Sequence, residues 1–118
     1  DKLSKFQKIH PNVKVHPGDF GESLSVWVDT LNQSLALIHI DVKCYSTTKF
    51  LLEKLNAVIS PGTVIVFENL CNWQDCAVSA QKEEGEWQAL KEWMHDKQRS
   101  VRVLAKGKKS SGSIVISR

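Results

Sequence analysis

Leu35-Ala36-Leu37-Ile38-His39-Ile40-Asp41-Val42 is an almost unbroken apolar run that ends in a carboxylate. A strand buried on both faces of a parallel sheet reads this way, because helices cover both sides and no position is left for alternating polar residues. A second run, Thr63-Val64-Ile65-Val66-Phe67, is rich in β-branched residues and is again followed by a carboxylate, Glu68. Between the two, Ser46 or Thr47 can cap a helix whose Phe50 or Leu51, Leu55, Val58 and Ile59 share one face, and Ser60-Pro61-Gly62 stops it. The order strand, helix, strand indicates an α/β layer fold with a largely parallel sheet.

Upstream, Val13-Lys14-Val15-His16 alternates apolar and polar like a short strand, and Pro17-Gly18-Asp19 reads as a turn. Leu24, Trp27, Val28 and Leu31 then recur at helical spacing. Downstream, Trp87, Leu90 and Met94 do the same, with Glu83, Glu84 and Glu86 toward the N-terminal end where a helix dipole favours them. The segments 100–106 and 113–117 read as two strands of an antiparallel hairpin joined by Gly107-Lys108-Lys109-Ser110-Ser111-Gly112. The expected architecture is a mostly parallel sheet with flanking helices and a closing C-terminal hairpin, in a single domain over residues 1–118. Function in such folds sits at the C-terminal ends of the strands. Those ends carry Gly18-Asp19-Phe20, Asp41-Val42-Lys43-Cys44-Tyr45 and Glu68-Asn69.

Composition narrows the class. Hydrophobic residues make up 42% and charged residues 25% of the 118, which suits a folded globular chain rather than a disordered one. No apolar run approaches the roughly 20 residues that span a bilayer, and Asp1 to His10 is too polar for an export signal. Three cysteines, Cys44, Cys71 and Cys76, with no CxxC pair favour free thiols in a reducing, cytoplasmic compartment, and with His39 they match no common zinc spacing. Residues 97–118 carry seven basic side chains and no acidic one, yet no aromatic residue is interleaved for base stacking, which disfavours nucleic acid as a partner. His39, inside an apolar strand, reads as a core histidine.

Three stretches, taken in order, carry a resemblance: His16-Pro17-Gly18-Asp19-Phe20 with Glu22-Ser23-Leu24, then Ile38 to Tyr45, then Pro61 to Asn69, with Ser113-Ile114-Val115-Ile116 at the end. Together they resemble the C-terminal half of a class I S-adenosylmethionine-dependent methyltransferase of the macrocin O-methyltransferase type. The resemblance implies a truncated Rossmann-like fold, O-methyl transfer to a small-molecule hydroxyl, and S-adenosylmethionine as cofactor. By the same resemblance Asp41 and Glu68 are catalytic or orienting carboxylates, and Lys43, Tyr45 and Asn69 contact the substrate. Gly18, Asp19 and Phe20 lie near the cofactor's adenine. The family's Asp-x-Asp-x-Tyr motif and Asp-Asp pair supply carboxylates for magnesium, which takes oxygen ligands and lowers the pKa of a bound hydroxyl. Here the second motif position is Lys43 and the pair is Glu68-Asn69, so an ammonium that repels cations replaces one ligand and an amide another. No metal ligand is assigned. Lys43 is expected to pair with Asp41 or Glu68, and Asp41 could equally cap the following helix.

No glycine-rich turn precedes residue 13, so the family's first two strands fall outside these residues. In the family's sheet order, 3-2-1-4-5-7-6, those strands separate this chain's first strand from its second. Their absence predicts an open edge on the strand 35–42. Three arrangements would close that edge: the strand 13–16 moves into the vacant position, two copies join edge to edge as a homodimer, or a partner chain supplies the missing half. One of the first two is expected of the isolated chain, and no transfer is expected of the isolated residues. The alternative is a non-catalytic module for ligand binding or oligomerisation built on the same scaffold.

Overall fold

The computed structural model describes residues 2–70, 85–107 and 110–118. The chain falls into two compact units, Asp1–Thr30 and Leu31–Arg118.

The first unit holds helix α1 (Lys2–Ile9) and helix α2 (Phe20–Asp29). Leu3, Phe6 and Ile9 recur every third residue of α1 and stay exposed, and no residue of α1 is buried. Helix α2 opens on Asp19, whose Oδ1 accepts the Gly21 amide at 2.8 Å and satisfies one of the donors a helix start leaves unpaired. Residues 13–17 form no strand, contrary to the alternation of Val13 to His16. Alternation alone cannot make a strand without a neighbour to complete its ladder, and this unit's described elements are both helices.

The second unit runs β1 (Leu37–Ile40), α3 (Tyr45–Leu55), a 3₁₀ turn (Asn56–Val58), β2 (Val64–Phe67), α4 (Gly85–Asp96), β3 (Val101–Lys106) and β4 (Gly112–Ile116). The sheet order is β1-β2-β4-β3. Strands β1 and β2 are parallel, with Leu37 opposite Val64 and Ile40 opposite Phe67, whereas β4 runs antiparallel to both β2 and β3. The expected closing hairpin is present. The expected mostly parallel sheet is corrected to a mixed α/β sheet with one parallel and two antiparallel pairs, because the hairpin inserts β4 beside β2 and contributes two of the three ladders.

One face of this sheet is buried through Ile38, Ile40, Ile65, Phe67, Ile114 and Ile116. Helices α3 and α4 pack against each other and bury Leu52, Leu55, Ala89, Leu90 and Trp93. The alternation in β1 is strict: Ile38 and Ile40 are buried while Leu37 is 61% exposed. Burial on both faces, expected from the apolar run, is therefore corrected to burial on one. Helix α3 starts at Tyr45, with Cys44 at the cap, and Leu52 rather than Phe50 or Leu51 enters the core. Its first turn is closed by Thr48, whose hydroxyl donates to the Cys44 carbonyl at 2.8 Å.

Two polar ties hold the ends together. Thr63 Oγ1 donates to the Leu35 carbonyl at 2.7 Å, joining the entries of β1 and β2. The Arg99 guanidinium lies 5.6 Å over the Trp93 ring and donates to the carbonyls of Asn56 and Ile59 at 3.0 and 2.8 Å, filling the open acceptors after α3. Among the described residues no helix is long and apolar enough to cross a membrane.

Candidate functional site

Beyond Ile40 the chain leaves the sheet through Asp41 and Val42 and turns at Lys43, whose φ of 64° is unusual for a residue with a side chain. Beyond Phe67 it leaves through Glu68 and Asn69. Because β1 and β2 are parallel, both exits lie at the same end of the sheet. Asn69 Nδ2 donates to Asp41 Oδ1 at 3.2 Å across the gap. Glu68 points elsewhere: its Oε1 meets His39 Nε2 at 2.7 Å. His39 and Glu68 are both substantially exposed, at 54% and 42% of their side chains. His39 is thus a surface residue and not the core histidine expected, since β1 presents its odd-numbered side chains away from the buried face. A shallow hollow beside Glu68 is lined by Val66, Lys106, Gly107 and Ser113, and Ser110 Oγ donates to the Glu68 carbonyl at 3.1 Å.

Lys43 makes no ion pair with Asp41 or Glu68, contrary to expectation. The Asn69 amide and the His39 imidazole have taken those two carboxylates instead. The carbonyl of Lys43 abuts Gly85, which opens α4 with φ 70°; a Cβ there would lie 3.3 Å from that oxygen. Glycine therefore lets the start of α4 approach the end of β1.

The next residue, Glu86, is fully buried. Its Oε1 accepts the Asn69 backbone amide at 2.7 Å, and its Oε2 has no hydrogen-bond partner among the described residues. Burial pushes its carboxyl above the ordinary range; the amides of Asn69, Val42 and Lys43 pull it back, and the charge of Asp41 pushes it further up. Sequence reading placed Glu86 on a helix dipole. The overlooked signal is its phase: 86, 89, 90 and 93 are the buried positions of α4, so this acid falls on the core stripe.

Tyr45 stands apart from the Asp41–Asn69 pair in its bonding. Its hydroxyl donates to Glu92 on α4, which also accepts Lys49 Nζ at 2.7 Å and Gln88 Nε2 at 2.6 Å. Gly18, Asp19 and Phe20 belong to the first unit, where the Asp19 carboxylate caps α2 and Phe20 is 39% exposed. Cys71 and Cys76 lie outside the described residues, as do Glu83, Glu84, Lys108 and Lys109.

The Cys44 thiol is exposed, and the hydroxyl and amide of Thr47 hold it below the ordinary thiol range. Alkylation followed site by site in a mass spectrometer should show Cys44 reaching its half-maximal rate at a lower pH than an unstructured thiol. Thr47→Val should move that midpoint up, and an unmoved midpoint would show that the hydroxyl plays no part.

A family model described as Macrocin-O-methyltransferase (TylF) matches residues 1–96. No curated protein matches the chain.

Proposed function

Since the chain belongs to the macrocin O-methyltransferase family, we propose that it serves S-adenosylmethionine-dependent methyl transfer to a hydroxyl of a small molecule, with the ends of β1 and β2 as the acceptor side. The observation that carries this reading is the Asp41–Asn69 contact across the C-terminal ends of the parallel pair, where open α/β sheets take their ligands. The order β1-β2-β4-β3 supports it as well, since it agrees with the 4-5-7-6 part of the sheet order that the resemblance implies.

In such a transfer the carbon–sulfur bond of the sulfonium breaks, a carbon–oxygen bond forms, and the acceptor hydroxyl must lose its proton. A carboxylate within hydrogen-bond reach can take it. Asp41 is suited to that role, with Asn69 steering its second oxygen toward the acceptor. Glu68, oriented by His39, borders the same end of the sheet. By the resemblance Gly18, Asp19 and Phe20 lie on the adenine side, with the Asp19 side chain committed to the cap of α2.

Magnesium does not suit this donor set. Among the described residues no three His, Cys, Asp or Glu side chains converge, Asp41 already accepts an amide, and Lys43 stands where the family has a second carboxylate.

Asp41→Asn is expected to leave S-adenosylmethionine affinity unchanged and to lower the transfer rate by about a hundredfold or more, the scale of a lost general base. Labelled-methyl transfer by the polypeptide at its natural length measures this. An unchanged rate would remove Asp41 from the chemistry.

The second reading, an oligomerisation module, is favoured by the place of β1 at the end of the sheet order, where it pairs with β2 alone among the described residues. A strand from a second copy or from another chain would pair there. Sedimentation should then give an assembly larger than one chain, with β1 amides protected from exchange. A monomer whose β1 amides exchange freely would remove this reading.

A further inference from the structure

Building on the acceptor-side reading, we propose that Glu86 is a positioning residue: its buried carboxylate holds the Asn69 backbone so that the Asn69 side-chain amide reaches Asp41. Three observations meet here. Glu86 is the one fully buried acidic side chain among the described residues, and a carboxylate is kept from water only where something local compensates it. Its Oε1 takes the Asn69 amide at 2.7 Å, between the Glu68 amide, which donates to the Ile40 carbonyl at 3.1 Å, and the Leu70 amide, which donates to the Ser110 carbonyl at 2.9 Å, so the carboxylate is the partner of the one amide in this stretch that points toward α4. The same Asn69 donates from Nδ2 to Asp41 Oδ1 at 3.2 Å, so one residue is held at two points by two carboxylates.

The geometry is locked from the other side as well. Gly85 seats α4 against the Lys43 carbonyl, so the helix start that carries Glu86 touches the exit of β1 directly. Moving Glu86 would therefore disturb both strand exits together. From β1's exit the amides of Val42 and Lys43 and the charge of Asp41 also act on Glu86. Glu86 touches no substrate in this role; it acts through Asn69.

The test is made on the intact chain by nuclear magnetic resonance, with no cofactor added. A scalar coupling across the hydrogen bond, from the Asn69 amide nitrogen to the Glu86 carboxyl carbon, is expected in the wild type. Glu86→Gln keeps an acceptor oxygen and should leave the two Asn69 Nδ2 proton resonances close to their wild-type positions. Glu86→Leu should collapse them to solvent-exposed values while the amides of Ile38 and Ile65 stay protected. An absent coupling, Nδ2 resonances unmoved in Glu86→Leu, or equal displacement in both variants would overturn the proposal. If Glu86→Leu does not fold, the wild-type coupling together with rescue in Glu86→Gln decides. Because no cofactor enters, a chain that meets these expectations but does not bind S-adenosylmethionine would sink the methyl-transfer reading alone.

Discussion

Trp93→Ala lowers the stability of the second unit by about 3–5 kcal/mol, the range for deleting a large aromatic side chain from a packed core. Trp93 is fully buried on α4, and truncation empties the space between that helix and its neighbours. Its indole Nε1 has no partner among the described residues, so the loss is one of packing rather than of a hydrogen bond. The ring also supports the Arg99 guanidinium, which closes the carbonyls after α3. Trp93→Phe keeps a ring under Arg99 and should cost less than Trp93→Ala. With domain stabilities of about 5–15 kcal/mol, the alanine variant forfeits a large share of the total. Urea unfolding checks this: the midpoint falls with the slope unchanged. A loss under about 1 kcal/mol would mean that the α3–α4 core is not packed as described.

The second large effect is in pH. Lys49 Nζ sits 2.7 Å from Glu92 and 3.3 Å from Asp96. Lys49, then Tyr45 and Gln88, hold the Glu92 carboxyl down to about 2. A depressed carboxylate contributes stability that is present above its unfolded value and is lost as pH falls through the folded one. For Glu92 that window runs from about pH 4.5 down to about pH 2. The alkaline side has the opposite sign. Glu92 raises both the Lys49 ammonium and the Tyr45 phenol above their ordinary values, so their contribution is complete at neutral pH and is lost as pH rises past 10. Thermal midpoints measured from pH 2 to pH 11 should form a plateau with two falling limbs. Lys49→Met should flatten both limbs and lower the plateau. An acid limb equally steep in Lys49→Met would assign the effect to other carboxylates.

Much of the second unit is legible in its sequence because local pattern and tertiary role agree there. The β-branched run 63–67 becomes β2, the periodic positions around Leu55 and Leu90 become α3 and α4, and the basic hairpin closes the sheet. The misreadings of β1 share one physical origin: a strand's period reports which residues alternate, not what covers either face. His39 looked buried because both its neighbours are apolar, yet the sheet's buried side belongs to Ile38 and Ile40. Val13 to His16 alternates correctly and still lacks a strand, because pairing is a long-range property. Glu86 was hidden for the opposite reason. Its charge suits the helix dipole, while its phase with Ala89, Leu90 and Trp93 places it in the core. Of the candidate site residues, the structure joins Asp41 to Asn69 and Glu68 to His39, and gives Tyr45 to the contact between α3 and α4. The departures Lys43 and Asn69 were visible in the sequence; that the amide of Asn69 would engage Asp41 needed the register of two strands.

Calorimetric titration of the natural-length polypeptide with S-adenosylmethionine tests the methyl-transfer reading most directly. Saturable binding at micromolar cofactor, retained in Asp41→Asn, is the predicted result. No heat at millimolar cofactor from a folded protein would contradict it and leave the scaffold reading in its place.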